Sequence, residues 1–164
     1  MLVPLAVLLM AAGNPTTQAG PAKARYKRYR NAGCAYSIDY PDGLLYPKGE
    51  APNGDCQVFA SKDGRATLTV WGENNPLGTS LARSFATETG RPGRRITCKT
   101  LKRNWFVISG TEGDDIFYSK SVAVAGGFRT LVLRYPAGQG ATYNPIAAHI
   151  AGSLDVTGVK TTME

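Results

Sequence analysis

ITCKTLKRNWFVISGTEGDDIFYSKSVAVAGGFRTLVLRY, residues Ile96 to Tyr135, is the stretch whose reading decides the fold. It contains four runs rich in aromatic and β-branched residues, Ile96–Leu101, Trp105–Gly110, Ile116–Val124 and Phe128–Tyr135. Such side chains suit a pleated, half-buried surface. The links between the runs are short. Glu112-Gly113-Asp114 turns the chain once, and Gly126-Gly127 supplies a two-residue connection of the kind a hairpin uses. A parallel pair would need a crossover of a dozen residues or more, so these runs predict antiparallel neighbours.

Toward the N-terminus the same reading continues from Cys34. Tyr36, Ile38 and Tyr40 alternate with Ser37 and Asp39, which predicts a half-buried strand. Pro41-Asp42-Gly43 turns the chain, Leu44-Leu45-Tyr46 resumes briefly, and residues 47–54 read as a loop with two prolines and two glycines. Gln57–Ala60 and Ala66–Trp71 form a second hairpin around Ser61-Lys62-Asp63-Gly64. The period then changes: Leu77, Leu81 and Phe85 recur at helical spacing with Ala82 and Ala86 beside them. Asn75-Pro76 or Thr79-Ser80 can cap this helix, and Gly90 with Pro92 ends it. After the last strand, Asn144-Pro145 reads as an N-cap followed by proline in the first helical position, with Ile146, Ile150 and Leu154 as the buried stripe. The fold class expected is α+β: a single antiparallel sheet of about seven to eight short strands, with two amphipathic helices packed on one face.

The start of the chain, Leu2–Gly13 (LVPLAVLLMAAG), is an apolar run of signal-peptide length, too short for a stable membrane span. Ala22 and Ala24 flank Lys23 at the spacing a signal peptidase requires. Residues 1–24 are therefore expected to be a signal peptide, and the protein secreted or periplasmic, with no transmembrane anchor in its mature form. The first basic residue is Lys23, so the usual positive n-region is missing, which implies a start upstream of Met1 or inefficient export. Ala32-Gly33-Cys34 is no lipobox, because Asn31 stands where an aliphatic residue belongs. Residues 25–33, with Arg25-Tyr26-Lys27-Arg28-Tyr29-Arg30, read as a basic linker, 34–155 as the α+β domain and 156–164 as a disordered tail.

The chain has 19 lysines and arginines against 12 acids, a formal net charge of +7, and cleavage would remove only Lys23 from that balance. Such a charge suits an anionic envelope component or an acidic protein. Nucleic acid is discounted for an exported chain. Three cysteines, Cys34, Cys56 and Cys98, allow at most one internal disulfide in an oxidising compartment. Three pairings are possible. Cys34–Cys56 is favoured because both precede predicted strands, and Cys98 is assigned to the core.

Several residues resemble a family of small, largely uncharacterised secreted bacterial domains: Tyr36-Ser-Ile-Asp-Tyr-Pro41, Asn53-Gly-Asp55, Ser61-Lys-Asp-Gly64, Asn104-Trp-Phe-Val-Ile-Ser-Gly110 and Tyr135-Pro136. The likeness spans Tyr36 to Leu154. The order of elements is also similar to the PsbP/Mog1 α-β-α sandwich, an analogy of fold alone. The family resemblance implies a binding or accessory role and transfers no catalytic residue.

The residues themselves offer little reaction chemistry. His149 is the only histidine and flanks the apolar stripe of the last helix, where a partly covered ring is the expected state. Asp114 and Asp115 are adjacent in a turn, which suits capping better than a facing acid–base pair. Glu112, Asp114 and Asp115 have metal-ligand side chains but no metal-site spacing, and neither a metal nor a cofactor is expected. The chain lacks a Gly-x-Ser-x-Gly elbow and a phosphate-binding loop. One feature rises above background. Arg91, Arg94, Arg95, Lys99, Lys102 and Arg103 lie close together with no acid among them. Strict alternation would put Arg95, Lys99 and Arg103 on the face opposite Ile96 and Cys98, able to grip phosphates or carboxylates. A charged edge strand that resists pairing would look the same. Asn53 and Asp55, in a Gly-containing loop, are further binding candidates. The function expected is an exported, non-catalytic binding or accessory domain that uses its basic strand face. A small secreted hydrolase using the loop carboxylates Asp55, Asp114 or Asp115 is the alternative.

Overall fold

A computed structural model describes residues 24–157. Residues 1–23 of the expected signal peptide, 1–24, and residues 158–164 of the expected tail fall outside those residues. The expected α+β architecture is present. Nine strands run in the order β1 (Tyr26–Asn31), β2 (Tyr36–Pro41), β3 (Tyr46–Glu50), β4 (Cys56–Ala60), β5 (Thr67–Asn74), β6 (Arg94–Leu101), β7 (Trp105–Glu112), β8 (Asp115–Val124) and β9 (Gly127–Pro136). Helix α1 (Leu81–Thr89) separates β5 from β6, and α2 (Gly140–Ser153) follows β9.

Seven strands form one antiparallel sheet in the order β3-β4-β5-β9-β8-β7-β6, and β1-β2 form a separate two-stranded sheet. Both tight hairpins read from the sequence occur, the second one residue earlier than expected, with Ala125-Gly126 as its turn and Gly127 already in β9. Glu112 pairs with Asp115 and Val124 with Gly127, and Gly113 and Gly126 adopt the positive φ that such turns require. β9 lies in the middle, pairing with β8 on one side and β5 on the other.

The two helices cover opposite faces, which corrects the expectation of one covered face. Successive residues of a strand point to opposite sides. Phe106, Ile108 and Phe117 form one cluster with Leu81 and Phe85 of α1, whereas their chain neighbours Trp105, Ile116 and Tyr118 pack into the other. That larger core joins Leu68, Val70, Leu131 and Leu133 of the sheet to Ile146 and Ile150 of α2 and to Tyr36 and Ile38 of β2. A hydrophobic stripe shows that a helix packs, but not on which side.

Residues 26–31 of the expected linker are strand β1. Its cations find acids across the hairpin: Arg28 Nε bonds Asp39 at 2.8 Å and Lys27 Nζ lies 3.1 Å from Asp42. Tyr26 and Tyr29 pack against the main core. The segment that follows α2 is tied to the same hairpin by two 2.9 Å backbone bonds between Ser37 and Asp155. Part of the loop read at 47–54 is edge strand β3, where Pro47 is tolerated because an edge leaves one set of donors unused.

Of the two helix starts, the Thr79-Ser80 alternative holds for α1 and the Asn144-Pro145 reading does not hold for α2. α1 begins at the Ser80 cap, whose Oγ accepts the Arg83 amide at 3.2 Å, so Leu77 precedes the helix and is 91% exposed. α2 begins at Gly140, more than a turn earlier than Asn144-Pro145 suggested, and contains Pro145. The Asn144 side chain caps nothing there; its Oδ1 accepts from the Tyr135 hydroxyl at 2.6 Å.

Candidate functional site

β6 is an edge strand, as one reading of its charge required. The common face expected for Arg95, Lys99 and Arg103 does not form. A bulge between Ile96 and Cys98 inserts one unpaired residue, Thr97. One extra residue inverts the side-chain alternation beyond it. Arg95 therefore pairs with Thr111 on the α2 side, while Lys99 pairs with Ile108 on the α1 side. Arg103 lies in the β6–β7 turn. The cations thus flank the edge from both sides. Arg95, Lys99, Lys102 and Arg103 make no ion pair among the described residues, whereas Arg91 and Arg94 are both bound to Glu88 at 2.8 Å. The same bulge leaves Cys98 exposed rather than in the core.

The expected Cys34–Cys56 bridge is absent; both are free thiols. Strand pairing explains why. Cys56 sits opposite Trp71, whereas Cys34 covers the next residue, Gly72, on the other side of the sheet. Burial, followed by the charge of Asp55, pushes the Cys56 thiol up and so keeps it protonated.

Asn53 and Asp55 bond each other, and the loop between them is held from below. Buried Asn31 donates to the Gly54 carbonyl and accepts the Cys34 amide, both at 2.7 Å. The Asp55 carbonyl accepts the Gly72 amide at 2.9 Å. This loop is a brace between the hairpin and the sheet, and Trp105 lies far from it in the strand order.

The acids of the β7–β8 turn are engaged in ion pairs rather than paired with each other. Glu112 contacts Arg134 and lies 3.5 Å from Arg94 Nε, and Asp115 lies 3.8 Å from Arg134. Burial draws the Glu112 carboxyl upward, but Arg134 and Arg94 together outweigh it and hold it below its ordinary value. His149 stacks on Tyr26 with ring centroids 3.7 Å apart, and its Nε2 lies 3.2 Å from Asp39 Oδ2. Asp39 is drawn up by burial and more strongly down by Arg28 and His149, so it stays ionised. The ring is exposed and meets one carboxylate, a helix-to-hairpin clasp. No group of three histidine, cysteine, aspartate or glutamate side chains among the described residues could hold a metal ion.

A second site carried no motif. α1 rests mainly on the β6–β7 side of the sheet and buries none of its residues fully. Beside it, over β8, β9 and β5, a cleft of about 520 Å³ remains. Its floor includes Ser119, Ser121 and Thr130, all buried, with the Ser121 and Thr130 hydroxyls 2.9 Å apart. Trp71, Phe106 and Phe128 supply aromatic surface, and Arg83, Glu88 and Arg94 line the α1 side. The sequence signal for it is the pair Ser119 and Ser121, two apart and so on one face of a strand, which marks a face that no helix fully covers.

No family model and no curated protein matches the chain. Among solved structures, it is similar to cyanobacterial PsbP from Synechocystis, at 17% identity over 90% of this chain and 98% of that one, with a TM-score of 0.57. A protein of unknown function from Pseudomonas aeruginosa aligns at 13% identity over 76% of this chain and 92% of that one, with a TM-score of 0.47. The fold is therefore PsbP-like, as the order of elements had suggested: a seven-stranded antiparallel sheet between a short helix on one face and a long helix with its hairpin on the other.

Proposed function

We propose that this is an exported, non-catalytic accessory domain that binds an anionic partner, an envelope polymer or an acidic protein, along its β6 edge. One observation carries the reading: Arg95, Lys99, Lys102 and Arg103 lie along one edge strand and its turn without an acid partner among the described residues. Unpaired cations on both sides of an exposed edge can meet an extended polyanion from either face. The PsbP-like fold is compatible with this role and by itself assigns no ligand. The hydrolase alternative loses support from the engagement of Asp115 with Arg134 and Asp55 with Asn53. No helix of the described residues is long and apolar enough to cross a membrane.

The test is retention on an acidic polymer or on vesicles rich in anionic lipid, with the variant Arg95→Ser/Lys99→Ser/Arg103→Ser beside the parent protein. Binding should fall steeply as salt is raised past about 0.15 M, where the screening length is about 8 Å. The triple variant should elute early at every salt concentration. Equal retention of parent and variant would remove the edge from consideration.

A further inference from the structure

The cleft beside α1 is separate from the basic edge: none of Arg95, Lys99 and Arg103 lines it. We infer that this cleft binds a small carboxylate that carries an apolar body, and that Arg83 and Arg94 recognise its charge. Four features point to that ligand class. The volume, about 520 Å³, lies within the range of about 300–1,000 Å³ typical of small-molecule sites. Trp71, Phe106 and Phe128 offer an apolar lining for the body of the ligand.

The third feature is Arg94. Its side chain is only 4% exposed and lies between Glu88, which accepts from Nη1 at 2.8 Å, and Glu112, which stands 3.5 Å from the buried Nε without a hydrogen bond to it. A guanidinium carries five N–H donors, and leaving buried donors unmatched is unfavourable. It lines the cleft, so an acceptor entering there can supply a hydrogen bond that Glu88 and Glu112 leave unmade. The fourth is the charge balance. Arg83, Arg91 and Arg94 line the cleft against Glu73 and Glu88, which leaves one positive charge in excess. That excess matches a monoanion. A dianionic phosphate ester would bring a second charge toward Glu73 and Glu88. Arg83 stands on the exposed face of α1, with no ion pair among the described residues, and is free to close over the entering carboxylate.

The two tryptophans make the test internal. Trp71 lines the cleft, and Trp105 packs on the opposite side of the sheet, so their indole N–H signals report the two faces separately. Titrating the protein with octanoate and with phenylacetate should give saturable shifts of the Trp71 indole and of the Ser119 and Thr130 amides, with Trp105 unmoved. Phenylacetamide, which has the same shape without the charge, should bind at least about tenfold more weakly, and Arg83→Gln should weaken phenylacetate by about the same factor. Arg83 lies on the exposed side of its helix, so that variant keeps the fold, which unchanged shifts elsewhere would verify. Arg95→Ser/Lys99→Ser/Arg103→Ser should bind phenylacetate as the parent does, whatever its behaviour on polyanions. The inference fails if neither carboxylate moves Trp71 at about 10 mM. It fails equally if phenylacetamide binds as well as phenylacetate, if phenyl phosphate binds more tightly, or if Arg83→Gln has no effect.

Discussion

Glu112 joins more of the structure than any acid that pattern alone would select, because it ties Arg94 of the β6 edge to Arg134 of the central strand. Its carboxyl is held below its ordinary value, so the folded state binds its proton less readily than the unfolded chain does. The contribution is complete at neutral pH, starts to fall as pH approaches 4.5, and is gone below the depressed folded value. Glu112→Gln should cost about 1–3 kcal/mol, since it removes one of the two carboxylates beside the buried Arg94 guanidinium and leaves only Glu88, and should flatten the acid side of a stability-versus-pH curve measured by urea unfolding. Gly72 is a second residue whose role is steric. A Cβ there would come within 2.7 Å of Cys34 Cβ and 2.8 Å of its Sγ. Gly72→Ala should therefore destabilise by about 1–3 kcal/mol, and Cys34→Gly in the same chain should recover most of the loss. Neither contact is legible in the sequence. Glu112 reads as a turn acid and Gly72 as one glycine among many, because their partners lie in distant strands.

At the scale of elements, the sequence reveals strands and helices well and their company poorly. Aromatic and β-branched runs with short glycine turns mark β6 to β9 plainly, and the Ser80 cap marks α1. β1 is hidden, since a run of arginines with interleaved tyrosines resembles a solvated arm until Asp39 and Asp42 are known to lie across from it. Burial, and next the Glu50 hydrogen bond, push the Tyr29 hydroxyl up to about 12, as befits a side chain anchored in structure. Deleting the chain through Asn31 should thus cost at least about 2 kcal/mol by withdrawing Tyr26 and Tyr29 from the core, seen as a lower Tm. A true linker could be removed without that effect. The β6 bulge is hidden for a different reason. Alternation is the only guide to facing, and one inserted residue reverses it, so Lys99 appears on the wrong side and Cys98 in the core.

The whole molecule is a sheet with unequal covers. α2 and the β1–β2 hairpin seal one face with Ile146, Ile150, Tyr36 and Ile38, while α1 rests on the other with no residue fully buried. Hydrogen exchange should follow that difference: the amides of β9 and β5 exchange only through global unfolding, and those of α1 through local opening at much lower free energy. Equal protection of α1 and β9 would contradict it. Fold class was legible because it depends on local period and link length. The α1 cleft was not, because it arises where a cover stops short, a property of no single segment.

The central position of β9 also governs the order of assembly. β3 to β5 can zip as one local meander and β6 to β8 as another, but only the last strand joins them. Until it emerges from synthesis, β5 and β8 each present a bare row of amides and carbonyls to the surroundings. The nascent polypeptide is then most in need of a chaperone, and a truncation before Gly127 would yield two sticky half-sheets rather than a smaller stable protein.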